Sequence, residues 1–274
     1  MFDKISAPSI TIKQAIDIIK SNTKKGSTQL NHLFDSQTSR ELINDEELYY
    51  KSGSNFYSLK RKSIINNLSN KEAVSIYKGK FNDNCRDLML KSEEFQSCPV
   101  CDGPYYPLTL DHVLPKSEFT QFALTPINIV PLCWNCNKRK GEYVGLDYER
   151  SSFNPYFEDF SSLSGITIDV EFLDSYPRFK PKILYSKEVE PKLKNLLHIY
   201  GMDSFLEGKA AKKIKNIIKK YSDLRKISSS RKLKKFLEKR KKLEEKNIWK
   251  TLFQHLIDKT DEFSECINRN NTIV

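Results

Sequence analysis

The 274 residues, 38% hydrophobic and 30% charged, are enough for one large domain or two modest ones, and this composition excludes a disordered tail. The chain has no run of 18 apolar residues, and Met1–Lys4 lacks the basic and then apolar layout of a signal peptide, so we expect neither a membrane span nor a signal peptide. The formal net charge of +11 is concentrated in Phe205–Lys250, which has 18 basic and 5 acidic side chains and a net charge of +13. A localised basic region is typical of a protein that contacts a phosphate backbone, although a solvated lysine-rich helix surface has the same composition.

Residues 1–95 are predicted to be mostly helical and carry no chemical motif. Apolar residues recur at helical spacing over Ile10–Ile19, with Ser9 or Thr11 as the candidate N-cap. Leu48–Leu59 contains a glycine and several aromatic residues, which indicates a turn or a short hairpin. We expect this region to serve as a scaffold or as a partner-binding surface.

Four of the six cysteines form two Cys-x-x-Cys pairs, Cys98 with Cys101 and Cys133 with Cys136. Two such pairs supply four thiolates, the number and kind of ligand found in closed tetrahedral zinc sites. Because sulfur would saturate this ion, the zinc is expected to be structural, and a catalytic metal would be a second ion. A redox pair lacks a thioredoxin-like context and a disulfide framework is unusual in so long a chain, so we expect a reducing, cytoplasmic setting. Trp134, between two of the ligands, is expected to pack under the second pair, with stacking on a nucleic-acid base as the alternative.

An Asp-His dipeptide, Asp111–His112, lies between the two pairs on a predicted β-strand, Leu108–Val113. The two side chains should point to opposite faces of that strand. A neutral imidazole can take a proton from water, and a carboxylate oxygen suits magnesium or manganese. Asn137, directly after the last cysteine, offers a second, neutral oxygen ligand. The dipeptide alone would be read as an ordinary strand end, but Asn137 and the basic residues after it favour catalysis, with phosphate contacts expected from Lys138, Arg139 and Lys140.

The pattern changes after residue 160. Ile166–Phe172 alternates apolar with polar residues and is predicted to be a half-buried strand, and Pro181 in the next apolar run argues for an edge strand or a bulge. From about Val189 the pattern is helical, with a stripe of large apolar residues typical of a core face. Lys226–Ser230 is the expected flexible break in this part. We therefore divide the chain into a helical region 1–95, a cysteine module 96–160, and a region 161–274 of short strands followed by basic helices.

The motif Asp111-His112-x-x-Pro115-Lys116-Ser117, followed by Asn128 and by Cys133-x-x-Cys136-Asn137-Lys138-x-Lys140-Gly141, resembles the HNH endonuclease family. The resemblance covers about residues 96–145. It implies a ββα-metal finger, which structural zinc holds together in the four-cysteine members. The implied fold class is α+β, with this finger flanked by mostly helical regions.

The resemblance also implies a role for each matching residue. His112 would be the general base, and Asp111 and Asn137 would bind a catalytic Mg²⁺ or Mn²⁺. Asn128 would order the loop that holds the base. The final position is Asn137 where the family often has histidine, which favours magnesium or manganese over a tightly held transition metal. The phosphates of DNA would be contacted by Lys116, Lys138, Arg139 and Lys140.

Further along, Asn154–Asp159 followed by strands and basic helices is similar in layout to HNH proteins of bacterial anti-phage systems, which act with an ATPase partner in Septu-type pairs. This similarity implies a partner subunit, since no Gly-rich phosphate loop is visible in this chain. Three hypotheses follow: a metal-dependent DNA endonuclease of anti-phage defence or restriction, a non-catalytic zinc module that binds nucleic acid, and a nuclease subunit that is silent until it binds its partner. The sequence leaves open whether the substrate is DNA or RNA and whether the chain acts as a monomer or a homodimer.

Overall fold

The computed structural model describes residues 1–24, 30–90, 97–103, 108–145, 147–174, 178–222 and 230–271. The chain forms two compact units, Met1–Ser161 and Ser162–Val274. The described residues of the first unit combine helices with two small two-stranded antiparallel sheets and those of the second combine helices with one, which confirms the α+β prediction. None of the helices in these residues has the length and apolar character that a membrane crossing needs.

The first unit is built from short helices and very short strands. The helices are α1 (Ile12–Ser21), α2 (Asn31–Phe34), α3 (Ser36–Ser52), α4 (Asn70–Ile76), α5 (Asn82–Leu90) and α6 (Trp134–Lys140). The strands are β1 (Ile64–Ile65), β2 (Leu68–Ser69), β3 (Leu108–His112) and β4 (Ile129–Cys133). A π-helical turn, Tyr77–Phe81, joins α4 to α5, and 3₁₀ turns occur at Gly53–Ser58, Thr120–Phe122 and Pro126–Asn128.

Helix α1 begins where one of the two candidate caps predicts. The Thr11 hydroxyl accepts a hydrogen bond from Gln14 N, and the Gln14 side chain accepts one from Thr11 N at 2.8 Å. This reciprocal capping box satisfies two backbone donors that the helix itself leaves unpaired. Burial of an isoleucine side chain stabilises the fold by roughly 2 kcal/mol, and the buried face of α1 consists of Ile12, Ala15, Ile16 and Ile19.

Over Leu48–Leu59, where a turn or a short hairpin is expected, helix α3 continues to Ser52 and a 3₁₀ turn follows at Gly53–Ser58, so the turn is present and the hairpin is not. Leu42, Glu46 and Tyr49 recur at helical spacing and are all buried, so tertiary packing extends the helix through the aromatic residues. Gly53 then ends it with a positive φ of 52°, which an L side chain rarely adopts. The glycine therefore marks a helix end and not a hairpin turn.

One hydrophobic cluster joins the N-terminal helices to β3 and β4. It contains buried residues of α1 to α5 together with Leu110, Ala123, Leu124 and Ile129. Residues 1–95 and the cysteine module, which the sequence analysis separates, thus share a core within one unit. The helices of residues 1–95 consequently pack against β3 and β4.

The second unit begins with a two-stranded sheet. β5 (Ile166–Phe172) and β6 (Phe179–Tyr185) pair antiparallel in continuous register, and Pro181 lies opposite Val170. Each strand of a two-stranded sheet is an edge strand, which is where proline is tolerated, so the edge-strand alternative is correct and the bulge is not needed.

Five helices follow these strands in the described residues. They are α7 (Pro191–Ile199), α8 (Met202–Ser222), α9 (Ser230–Leu243), α10 (Asn247–Asp258) and α11 (Thr260–Asn271). The apolar stripe expected to form a core face is buried at Leu233, Leu237, Leu252, Phe253 and Leu256. Of the predicted flexible break, 226–229 lies outside the described residues, and Ser230 opens α9.

Candidate metal centre and active site

The four paired cysteines converge in one buried cluster. Their sulfur atoms all lie within 4.8 Å of one another, and Cys101 Sγ and Cys133 Sγ are 3.8 Å apart. A regular tetrahedron with zinc–sulfur bonds of about 2.3 Å has edges of about 3.8 Å. Bonded disulfide sulfurs are only about 2 Å apart, and all four cysteines are free thiols. The cluster is placed to bind one metal ion and is compatible with structural zinc.

A tight backbone turn holds the first cysteine pair. Asp102 N donates to Cys98 O at 2.8 Å, and Cys98 N donates to Gly103 O at 3.0 Å. Gly103 N also points at Cys101 Sγ from 3.4 Å, and a Cβ atom on Gly103 would lie only 3.1 Å from that sulfur. A backbone N–H directed at sulfur favours the thiolate form that binds metal, and glycine leaves room for the close approach.

Strands β3 and β4 and helix α6 form a ββα unit. The strands pair antiparallel, with Leu108 opposite Cys133 and His112 opposite Ile129. Cys133 ends β4 and is the N-cap of α6. Cys136 and the following Asn137 lie in the first turns of that helix. The cysteine cluster is therefore joined to both strands and to the helix that faces β3.

His112 ends β3 with its imidazole buried, and the residue is 3% exposed. Its Nε2 lies 2.9 Å from Ala123 O, and because a carbonyl oxygen only accepts, Nε2 carries the proton and Nδ1 the lone pair. The Tyr77 ring packs edge-on against the imidazole, with centroids 4.4 Å apart. Burial, followed by the charges of Lys116 and Lys140, lowers the pKa of His112 to about 3, so the ring is neutral at physiological pH.

Asp111 points to the other side of β3, towards α6. Its Oδ2 lies 3.1 Å from Lys140 Nζ in a buried pair, and the same ammonium donates to His112 O at 2.6 Å. Burial raises the pKa of Asp111, and the Lys140 charge opposes that rise. Within the described residues, Oδ2 has this ionic contact but no hydrogen bond of good direction. A buried carboxylate oxygen in this state fits a ligand of a hard divalent cation.

The Lys140 ammonium is therefore not placed at the surface, where it could contact a phosphate of a nucleic acid. The residue is 4% exposed, and its ammonium is held between Asp111 and the carbonyl of His112. The phosphate contact expected of Lys140 is corrected accordingly. In the structure this lysine is an internal counter-ion that links α6 to the end of β3.

Asn137 faces the same β3–α6 contact as Asp111. Its Nδ2 donates to Thr109 Oγ1 at 2.9 Å, and Thr109 precedes Asp111 by two residues, so both point to one face of β3. Lys140, one helical turn after Asn137, contacts Asp111 from the same side. Asp111 and Asn137 thus lie on the same side of β3, facing α6, and their carboxylate and carboxamide groups carry oxygen atoms of the kind that magnesium and manganese prefer as ligands.

Asn128 is fully buried, and its side chain makes four hydrogen bonds. Oδ1 accepts from Leu114 N at 2.8 Å and from Tyr49 Oη at 3.0 Å, while Nδ2 donates to Leu114 O at 2.9 Å and to Phe122 O at 3.1 Å. This uses the full capacity of a carboxamide. Because Leu114 follows His112 by two residues, Asn128 clamps the chain directly after the imidazole.

The remaining predicted cations lie at the surface of this unit. Lys138 and Arg139 are exposed on α6, and Lys116 is half-buried with its Nζ 5.4 Å from the centre of the Tyr77 ring. Trp134 is 48% exposed and has Lys138 Nζ 4.7 Å from its ring centre. The predicted packing of Trp134 under the cysteine pair is wrong, because α6 turns this residue to the face it shares with Lys138.

Two tyrosines that the sequence analysis did not assign complete the site. Tyr49, on α3, donates its hydroxyl to Asn128. Tyr77, in the π-helical turn, covers His112 and donates to Leu110 O at 3.2 Å. Helical spacing marks Tyr77 as a buried-face residue, but nothing local to either tyrosine indicates which distant side chain it meets.

The segment Asn154–Asp159 supports Tyr49 and β4 from within the first unit. Asn154 Nδ2 donates to Tyr49 Oη at 3.2 Å, and Tyr156 Oη donates to Ile129 O at 2.9 Å. Both residues are buried. The segment is thus part of the packing that holds the Asn128 clamp.

Comparisons with known proteins found one family model and a relative that covers about a third of the chain. Protein ea31 of Escherichia phage lambda is 27% identical over 103 residues, which are 35% of this chain and 34% of that protein, so the chain spans about a third of the relative's length. No solved structure matches. The family model for HNH endonuclease matches residues 98–142, which include both cysteine pairs, the Asp-His dipeptide, Asn128 and Asn137. Together with this match, the ββα geometry and the converging cysteines identify residues 98–142 as an HNH endonuclease domain with a four-cysteine cluster.

Proposed function

We propose that this protein is a metal-dependent endonuclease that hydrolyses phosphodiester bonds in DNA. The observation that carries the proposal is the state of His112, a neutral ring whose Nε2–H is bonded to Ala123 O and whose Nδ1 keeps a lone pair. Next to it in sequence, Asp111 offers a buried oxygen that lacks a directional hydrogen bond in the described residues. A proton acceptor beside a cation ligand is what metal-assisted hydrolysis requires.

Two different ions fit the two sets of ligands. Four thiolates select Zn²⁺, which would be structural because sulfur fills its coordination sphere. Asp111 and Asn137 would hold Mg²⁺ or Mn²⁺, and such an ion supplies positive charge that stabilises the leaving oxygen. Hard oxygen and soft sulfur ligands keep the two sites from competing for one metal.

His112 would accept the proton of the attacking water at Nδ1. Its pKa of about 3 makes it a weak base in the substrate-free protein. A bound phosphate is anionic and would oppose the charges of Lys116 and Lys140, which lower this pKa in addition to burial, so phosphate binding would raise it. The carbonyl of Ala123 stays on Nε2–H and would stabilise the imidazolium, while Asn128 holds the following residues in place.

The charge of helix α9 supports a nucleic-acid substrate. Its buried face carries Leu233 and Leu237, and Glu238 is its single acidic residue. Neutralising backbone phosphates gives affinity that falls with salt and carries little sequence information. Around the HNH site, Lys116, Lys138 and Arg139 would add phosphate contacts. The exposed cations of α9 are Arg231, Lys232, Lys234, Lys235, Lys239, Arg240 and Lys242.

The setting we propose is the bacterial cytoplasm, in anti-phage defence or restriction, with an ATPase subunit as partner. What supports the partner is the layout of Asn154–Asp159 followed by two strands and basic helices. What supports a reducing compartment is the cluster of four free thiols, since metal binding requires reduced cysteines.

Cleavage of supercoiled plasmid tests the proposal. The purified, zinc-loaded chain is compared with His112→Ala and with the matched control His198→Ala, which alters an exposed histidine of α7. Each is assayed with Mg²⁺, with Mn²⁺ and with EDTA. We expect metal-dependent nicking by the wild type and the control and its loss in His112→Ala. Equal cleavage by His112→Ala would refute the assigned base.

Burial of His112 favours one second candidate, a nuclease subunit that is silent until assembly. The residue is 3% exposed beneath Tyr77, so an assembly step that moves Tyr77 would open the imidazole to a substrate. This candidate predicts weak cleavage by the chain alone and strong cleavage with its native partner. If DNA binds but neither condition gives cleavage, the non-catalytic zinc module is the remaining hypothesis.

A further inference from the structure

Two hydrogen bonds of Thr109, which form a short relay, determine which atom of the Asn137 carboxamide, Nδ2 or Oδ1, faces Thr109. Thr109 Oγ1 lies 2.9 Å from Leu132 O on the paired strand and 2.9 Å from Asn137 Nδ2. Leu132 O is a carbonyl oxygen and accepts only, so the single hydroxyl hydrogen of Thr109 is given to it. Thr109 can then only accept from Asn137.

This accounting decides the orientation of the amide. The NH₂ group of Asn137 must face Thr109, and Oδ1 must therefore face away from it. Thr109 is itself a firm reference point, because its β-branched side chain has few rotamers and its hydroxyl is tied to the β3–β4 ladder. Without an acceptor at this place, the amide could turn by 180° and present NH₂, which cannot bind a cation.

We propose that Thr109 is a positioning residue that keeps Asn137 Oδ1 turned towards the catalytic divalent cation. Thr109 and Asp111 share one face of β3, so one strand supplies both an oxygen ligand and the support for the second. This proposal rests on the proposed function, in which Asp111 and Asn137 bind that cation. Thr109 does not touch the metal or the substrate and acts through Asn137.

Two substitutions distinguish the contribution of the Thr109 hydroxyl from that of the branched shape of its side chain. Thr109→Val keeps the branched shape and removes the acceptor, while Thr109→Ser keeps the hydroxyl. Binding of Mn²⁺ to the zinc-loaded full chain is measured from the electron paramagnetic resonance signal of free Mn²⁺. We expect Thr109→Val to weaken binding about 10- to 100-fold, the usual effect of losing a residue that orients a metal ligand, and Thr109→Ser to restore most of the affinity.

The control is Thr251→Val in the second unit. Thr251 repeats the same pattern, since its hydroxyl donates to Ile248 O at 2.8 Å and accepts from Ile168 N at 3.1 Å. It should leave Mn²⁺ binding unchanged. Zinc content and thermal unfolding are recorded for every variant. If Thr109→Val lowers either of them, Thr109→Ser decides, because only the hydroxyl relay predicts that serine restores Mn²⁺ binding.

The outcomes distinguish the two proposals. Wild-type affinity in Thr109→Val, or equal weakening in Thr109→Ser, would overturn the role of Thr109 and leave the proposed function standing. If the wild-type chain does not bind Mn²⁺, or if Asp111→Asn leaves that binding unchanged, both proposals are overturned. Weakening in Thr109→Val with recovery in Thr109→Ser supports the relay.

Discussion

Removing the buried charge of Lys140 should destabilise the first unit strongly. In Lys140→Met, Asp111 keeps its carboxylate but loses the ammonium 3.1 Å from Oδ2, and the carbonyl of His112 loses its donor. The side chains of Lys140 and Asp111 are 1% and 10% exposed, so water does not replace the lost partner. Breaking a buried ion pair on one side destabilises a protein by about 3–5 kcal/mol.

The double variant Lys140→Met, Asp111→Asn makes this reasoning testable. It removes both charges, so the total loss should be smaller than the sum of the two single losses by about 1–3 kcal/mol. Urea unfolding at fixed free zinc is followed by Trp134 emission in a Trp249→Phe background, because only Trp134 lies in the first unit. A loss below about 1 kcal/mol for Lys140→Met, or strictly additive losses, would refute the buried-pair argument.

Three further predictions concern other parts of the chain. Burial raises the pKa of Glu46 from 4.5 to about 7, so the folded state holds this proton more tightly and stability should fall by about 3 kcal/mol as pH rises from about 4.5 to about 7. Glu46→Gln stays neutral and should remove that slope in urea unfolding compared with wild type at each pH, and an unchanged slope would contradict the assignment. A zinc chelator should abolish cleavage and unfold the ββα segment, and excess Mg²⁺ should not restore either, as circular dichroism and plasmid assays would show. Reversing Lys234, Lys235 and Lys239 to Glu should weaken DNA binding and flatten its salt dependence, whereas the same reversal of exposed Lys13, Lys51 and Lys60 should do neither.

Local spacing in the sequence was enough to predict the cysteine cluster. Each Cys-x-x-Cys pair brings two sulfurs together within one turn, and the structure joins both pairs in one cluster. Asp111 and His112 diverge from β3 as neighbours on a strand must. The helical period also explains Lys140, because it follows Asn137 by three residues and so lies on the inner face of α6, while Lys138 and Arg139 lie outside.

What local spacing could not supply is contact between distant segments. Tyr49 reaches Asn128 across 79 positions of sequence, and the π-helical turn at Tyr77 has no signature in its residues. In Leu48–Leu59, burial of Tyr49 likewise extends α3 as far as Ser52, and the expected turn begins only at Gly53. Such pairings depend on how the whole unit packs, which a single sequence does not encode in any one window.

The contacts of Tyr77 with His112 and of Tyr49 with Asn128 have a consequence for protein engineering. A segment cut at the ends of the family match, residues 98–142, would leave the imidazole without the ring of Tyr77 and the Asn128 carboxamide without the hydroxyl of Tyr49. Residues 98–142 are therefore not expected to keep the structure of the site when they are transferred alone to another protein. A chimera that is meant to cut DNA needs α3 and the α4–α5 segment from the same parent as its cysteines, and shuffling libraries should place their crossover points after Ser161.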